Sequence, residues 1–200
     1  ETAEGMRQKE PWFALRERLM GRHLGAQTVG ILGAGYVGRM VIALFRAFDA
    51  RVLLFDPFVA SDAARSLGAE SVGLNEVLER SDIVSLHIPL LPETRHMIGA
   101  AELARIRDGA LFINTARGGL VDDAALAHAL TTGVIGGAAI DVLSVEPPPA
   151  DHALLTGKVP NLLVTPHVAW ASREAMQIMA GQVIDNIEAF VAGAPRNRLA

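Results

Sequence analysis

The sequence contains no cysteine, which excludes disulfides and thiolate chemistry but says little about compartment. No apolar run approaches the ~20 residues that a helix needs to cross a bilayer. The longest runs, such as 28–32 and 52–55, have the length of strands. The first residues are charged and mixed, without the apolar core of a signal peptide, so a cytosolic protein with no membrane partner is expected. Long basic runs are missing too. Eighteen Lys plus Arg stand against 22 Asp plus Glu, for a formal charge of −4. Phosphate neutralisation along a nucleic acid is therefore not suggested. No Gly-Lys-Ser/Thr follows the glycine-rich turn, so an ATP-type phosphate loop is lacking, and no metal-ligand cluster stands out.

What the chain has is apolar surface. Half of its 200 residues are hydrophobic, enough to bury a real core in one large domain or two small ones. Strand-like and helix-like segments alternate nearly throughout. Strands are expected at 28–32, 51–55, 70–72, 82–87, 110–114, 136–141 and 162–165. Helices are expected at 36–48, 60–67, 74–79, 99–106, from Asp122 or Asp123 to 131, and from a Ser172 cap to about 191. Val37, Val41, Leu44, Phe45 and Phe48 are read as the inner face of the 36–48 helix. Met176, Met179, Val183, Ile184, Ile187 and Phe190 are read as that of the last. Residues 1–27 break the alternation and read as a helical lead-in with Trp12, Phe13, Leu15 and Leu19 buried. The proline-rich 146–150 stretch reads as a rigid loop. Apolar strands spaced by amphipathic helices predict an α/β fold with a parallel sheet covered on both faces.

Gly33-Ala34-Gly35-Tyr36-Val37-Gly38 is a GxGxxG turn placed after a strand and before a helix. In that context Gly33 permits the turn, Gly35 lets a pyrophosphate approach the backbone, and Gly38 allows close packing of helix on sheet. Amides near Tyr36 and Val37 would hold phosphate oxygens. Such a turn also occurs without a ligand, but Asp56 ends the second strand where a dinucleotide site expects an acid. A carboxylate there accepts ribose hydroxyls and repels a 2′-phosphate, which favours NAD over NADP. The plainer role for Asp56 is to start the Asp56-Pro57 turn.

Three further residues follow expected strands. Arg117 follows 110–114, Glu146 follows 136–141, and His167 follows 162–165. Ligands of open parallel sheets bind beyond the carboxyl ends of strands, so all three map to that edge. A guanidinium fork can hold a carboxylate, and a His–Glu pair is an acid–base unit in which the carboxylate favours imidazolium. Taken singly, Arg117 reads as a partner for a surface carboxylate and Glu146 as a loop acid. His87 and His96 read as structural hydrogen-bonders. No spacing rule brings the three side chains together.

With these residues in view, the chain resembles the D-isomer-specific 2-hydroxyacid dehydrogenase family. The matching segments are GAGYVG with Asp56-Pro57, His87-Ile88-Pro89-Leu90, NTARGGLVD at 114–122, GGAAIDVLSVEP at 136–147 and TPHVAW at 165–170. They run in family order across most of 24–192. The resemblance implies a Rossmann-type doubly wound sheet over 28–171 and hydride transfer between NAD and a small 2-hydroxy or 2-oxo acid. It gives Arg117 the substrate, His167 the proton and Glu146 the acid of the pair. Cofactor contacts are implied at Gly33, Gly35, Tyr36, Val37, Gly38, Asp56, Ile88, Pro89, Thr115, Ala116, Asp141, His167 and Ala169.

The segments from Asp141 to Leu155 and from Thr165 to Ala175 look like glycerate dehydrogenases (hydroxypyruvate reductases). Asp56-Pro57-Phe58 looks more like phosphoglycerate or lactate dehydrogenases, and the substrate is left open. Family members also carry a substrate domain, and 27 residues before the first strand are too few to encode it. The expectation is that this domain lies outside the chain, with 172–200 returning to it, or that a homodimer covers the exposed surface. Trp170 also occurs in the NAD-binding C-terminal-binding corepressors. A non-catalytic, NAD-responsive binding or dimerisation module is therefore the second reading.

Overall fold

The computed structural model describes residues 11–157 and 159–198. Seven strands form one sheet: β1 (Thr28–Leu32), β2 (Arg51–Phe55), β3 (Glu70–Ser71), β4 (Ile83–Leu86), β5 (Leu111–Asn114), β6 (Gly137–Ile140) and β7 (Leu162–Val164). Their order is β3-β2-β1-β4-β5-β6-β7, and every pairing is parallel. The helices are α1 (Trp12–Arg18), α2 (Tyr36–Ala47), α3 (Ser61–Ser66), α4 (Leu74–Arg80), α5 (Ala100–Leu103), α6 (Asp123–Thr131) and α7 (Arg173–Val191). This is the doubly wound arrangement expected from the alternation, with strand order reversing between β1 and β4. The expected elements are all present; the strands at 28–32 and 51–55 keep their expected bounds, the 74–79 helix runs one residue further to Arg80, and most others are trimmed by a residue or a few. No helix among the described residues is long and apolar enough to cross a membrane.

Side-chain alternation along the strands divides the core in two. Val29 and Ile31 of β1, Val52 and Leu54 of β2 and Ile83 of β4 pack with Ile42 of α2 and Ala64 of α3. Leu32, Leu53, Val84, Leu86 and Phe112 point the other way, onto Val77 and Leu78 of α4, Leu103 of α5 and Leu126 and Leu130 of α6. Period-2 apolar strands buried on both faces explain why the sequence reads as near-continuous apolar runs.

Three expected faces are corrected. In α2 the buried residues are Gly38 and Ile42, with Val41 and Phe45 packed beside them. Val37, Leu44 and Phe48 are exposed instead. They share helical spacing with Met40, also exposed, so an apolar stripe on the outer side imitates a core face. In the lead-in only Leu15 is buried, while Trp12, Phe13 and Leu19 are exposed; residues 1–10 of it lie outside the described residues. The apolar face of α7 is exposed along its whole length, and no residue of this helix is buried. His87 meets the expectation of a structural hydrogen bond, through Nε2 and Ser85 Oγ at 3.0 Å. The His96 ring makes no hydrogen bond among the described residues; its backbone N–H donates to Gly119 O at 2.8 Å.

Asp82, at the entry to β4, fastens three segments. It accepts hydrogen bonds from Thr28 N–H at 2.8 Å, and from Arg22 Nη1 and Arg107 Nη1 at 2.7 Å each. Burial alone would push its carboxyl up, but the Thr28 amide and the two guanidinium groups outweigh this and hold it below the ordinary range. A depressed folded value stabilises the fold above the unfolded pKa, and the stabilisation is lost as pH falls through the folded one. Asp82→Asn is expected to cost about 2 kcal/mol at neutral pH, with the difference shrinking in acid. Urea unfolding of both proteins at neutral pH and near pH 3 measures this, and an equal difference at both would contradict it.

Candidate active site

Because all strands run parallel, every loop at their carboxyl ends opens on one edge. The glycine turn leaves β1 there. Gly33 has φ +96°, and its N–H donates to Phe55 O at 2.9 Å. A Cβ on Gly38 would fall on the Gly33 carbonyl oxygen, so the helix can start this close to the strand only with glycine at that position. Gly35 caps α2 in extended conformation, and nothing lies within 4 Å of where its Cβ would be. Ala34, Gly35, Tyr36 and Arg39 line a depression of about 330 Å³ at the helix start. The first amides of a helix have no carbonyl partner four residues back, so they face this space as donors. An open backbone cradle at a helix N-terminus fits the pyrophosphate of a dinucleotide.

Asp56 has a further part in this turn. Its Oδ2 accepts Ala34 N–H at 2.8 Å and its Oδ1 accepts Phe58 N–H at 2.9 Å. The second bond is the Asp56-Pro57 turn foreseen as the plainer role; the first ties the glycine turn to the end of β2. Each oxygen keeps acceptor capacity. Across the switch point Ile88 borders the same turn, since its Cγ2 would lie 2.7 Å from a Cβ on Gly33. Pro89 is exposed beside it.

Beyond β5, the buried side chain of Asn114 shapes the next loop. Its Oδ1 accepts Ala116 N–H and its Nδ2 donates to Arg117 O, both at 3.0 Å. The turn therefore presents Thr115 and Arg117 outward. Arg117 is exposed, and its Nη1 donates to Ala116 O at 2.6 Å. It pairs with no carboxylate among the described residues, contrary to its plainer reading. It also makes no hydrogen bond with Glu146 or His167. Its loop nevertheless abuts the one carrying Glu146: a Cβ on Gly118 would overlap the Leu143 carbonyl.

Glu146 and His167 do meet. His167 Nδ1 and Glu146 Oε2 are 2.7 Å apart, while Glu146 Oε1 accepts Leu143 N–H at 2.9 Å. Those bonds, from His167 first and Leu143 second, hold the Glu146 carboxyl below its ordinary range. With Nδ1 taken by the carboxylate, Nε2 is the ring nitrogen left to exchange a proton with another molecule. Alongside the pair lies an apolar cavity of about 440 Å³, lined by Leu143, Pro147, Pro148, Leu155 and Pro166 among others.

Asp141, at the end of β6, holds the His167 loop. Its Oδ1 accepts Thr165 Oγ1–H at 2.5 Å and Val168 N–H at 2.9 Å, and its Oδ2 accepts Ala169 N–H at 2.9 Å. His167 N–H donates to the Asp141 carbonyl at 2.8 Å, and the Trp170 indole donates to His167 O at 2.8 Å. His167 itself has φ +54°, a left-handed conformation these bonds sustain. Burial would raise the Asp141 carboxyl, but the hydrogen bonds from Thr165, Ala169 and Val168 together lower it. Sequence reading named Asp141 only as a cofactor contact and missed this clamp, as it missed the role of Asn114. A polar residue closing an apolar strand was the available signal.

The fold and this edge define a Rossmann-type dinucleotide-binding domain. Residues 1–169 match the family model described as D-isomer specific 2-hydroxyacid dehydrogenase, NAD binding domain, and the chain belongs to that family. A glycerate dehydrogenase of Methylorubrum extorquens is 48% identical over 174 residues, covering 87% of this chain and 53% of the relative. A glyoxylate reductase of Korarchaeum cryptofilum is 42% identical over 175 residues, covering 88% of this chain and 52% of the relative. Among solved structures, a D-lactate dehydrogenase with NAD+ from Lactobacillus jensenii superposes with a TM-score of 0.85 at 30% identity, covering 99% of this chain and 62% of that one. The chain spans about half the length of these curated relatives.

Asp141→Ala removes the acceptor for two amides and a hydroxyl. It is expected to destabilise the fold by about 2–3 kcal/mol and to expose the Val168 and Ala169 amides to hydrogen exchange. Unchanged protection of both amides would contradict the clamp.

Proposed function

We propose that this chain is the cofactor half of an NAD-dependent D-2-hydroxyacid dehydrogenase. The observation that carries this reading is the 2.7 Å His167–Glu146 contact on the same sheet edge as the glycine cradle. NADH, when bound, supplies the hydride. The α2 amides and Asp56 would hold its pyrophosphate and adenosine ribose. Ile88, Pro89, Thr115, Ala116, Asp141 and Ala169 would border its nicotinamide side. Arg117, free of any carboxylate partner among the described residues, would receive the substrate carboxylate and polarise the neighbouring carbonyl. Glu146 would orient the ring and favour its charged form through Nδ1, and Nε2–H of His167 would deliver the proton to the carbonyl oxygen. Residues 28–171 are the cofactor domain in this reading. The exposed apolar face of α7 would pack on a substrate domain or on a second copy of the chain.

The substrate class is a small 2-oxo acid, and hydroxypyruvate, glyoxylate and pyruvate form the first panel to test. The depressed carboxyl of Glu146 stays ionised into the acid range and would sustain the imidazolium. Reduction should therefore hold at acidic pH and fade as pH rises through the apparent pKa of the pair. Glu146→Gln should move that limb to lower pH, and Arg117→Ala should remove most turnover. NADH binding without turnover of any 2-oxo acid, or a flat profile across neutral pH, would contradict the reading; the former would favour a non-catalytic NAD-responsive module.

A further inference from the structure

The loop that carries Glu146 has little apolar packing to fix it. From Ser144 to Asp151 every residue is exposed, and the cavity lies along its Pro147-Pro148 side. Yet Glu146 must be placed to within tenths of an ångström to hold a 2.7 Å bond to a ring 21 residues away. Something other than hydrophobic contact sets its position.

The two sides of the loop converge on one carboxylate. Asp123, the first residue of α6, accepts Ser144 N–H at 3.1 Å and faces His152 Nε2 at 3.0 Å, both through Oδ2. These partners bracket Glu146 in sequence. A first-turn acid gains from the helix dipole while exposed to water, but the side chain of Asp123 is only 10% exposed and that of His152 only 6%. The helix does not need Asp123 as a cap, because Asp122 Oδ1 already accepts Ala124 N–H and Ala125 N–H. His152 is fixed from its other side too. Leu154 N–H donates to Nδ1 at 3.3 Å, which leaves the ring proton on Nε2, directed at Asp123. The His152 carbonyl takes Leu155 N–H, Thr156 N–H and Thr156 Oγ1–H.

We propose that Asp123 and His152 form a buried clamp that closes the 144–152 loop onto α6 and so sets Glu146 against His167. Both are positioning residues: neither touches the reacting atoms, and both act through Glu146. The inference rests on the acid–base reading of Glu146 and His167 given above. Charged groups facing that pair also include Asp141, beneath the His167 loop, which all the variants below retain.

The test follows the titration of the His167 ring by NMR in protein carrying 13C-labelled histidine, which needs no turnover. Glu146→Gln removes the carboxylate and should move the titration midpoint of the ring to lower pH. Asp123→Asn and His152→Leu should lower it in the same direction. His152→Gln, which keeps a donor for Asp123, should restore most of the shift. Adding Asp123→Asn to Glu146→Gln should change nothing further, because the clamp has no carboxylate left to position. Should Asp123→Asn not fold, His152→Leu carries the same comparison with the Ser144 bond kept. An unchanged His167 titration in a folded clamp variant, while Glu146→Gln lowers it, overturns the clamp alone. A titration that Glu146→Gln leaves unmoved instead overturns the acid–base reading.

Discussion

A sheet whose strands all run parallel has two unlike edges, and that constraint organises this molecule. Crossover connections are needed between successive strands, and the helices that most of them carry cover both faces and divide the apolar residues into two cores. The same constraint sends the turns after β1, β2, β4, β5, β6 and β7 to one side. Gly33, Asp56, Ile88, Arg117, Asp141 and His167 are scattered over 135 positions of sequence, yet each stands at the exit of a strand on that side. The reversal of strand order between β1 and β4 parts the loops and leaves the crevice between them.

The loops themselves are held by buried or half-buried polar side chains that accept backbone amides. Asp56 holds the glycine turn, Asn114 the Arg117 turn, Asp141 the His167 turn and Asp123 the Glu146 loop. Each sits at a strand end or helix start, where backbone groups have no ladder or helical partner. A carboxylate desolvated there is costly unless its acceptor positions are filled, and here the amides fill them. The arrangement couples the rigidity of the sheet to loops that carry little apolar surface of their own.

This division explains how much was legible beforehand. Strand positions follow from apolar runs that the core demands, and the glycine turn follows from a backbone geometry few sequences tolerate. The loop residues could be assigned to the correct edge because the sheet had to be parallel. The inner face of α2 was misread, since Val37, Leu44 and Phe48 keep helical spacing on its outer side while close approach selects Gly38 on its inner one. For α7, periodicity found an apolar face but could not show what it packs against. Contacts across loops were illegible in principle: nothing in spacing says that Glu146 reaches His167, or that His152 reaches Asp123, 29 residues away.

The central proposal is that this edge would direct hydride from a dinucleotide to the C2 carbon of a 2-oxo acid, with the proton coming from His167. Turnover of NADH deuterated at the transferring C4 position, with product analysed for label and configuration, tests it most directly. The account predicts one deuterium on C2 of a D-configured 2-hydroxy acid, transferred without exchange with water. An L-configured product, or label lost to solvent, would contradict it.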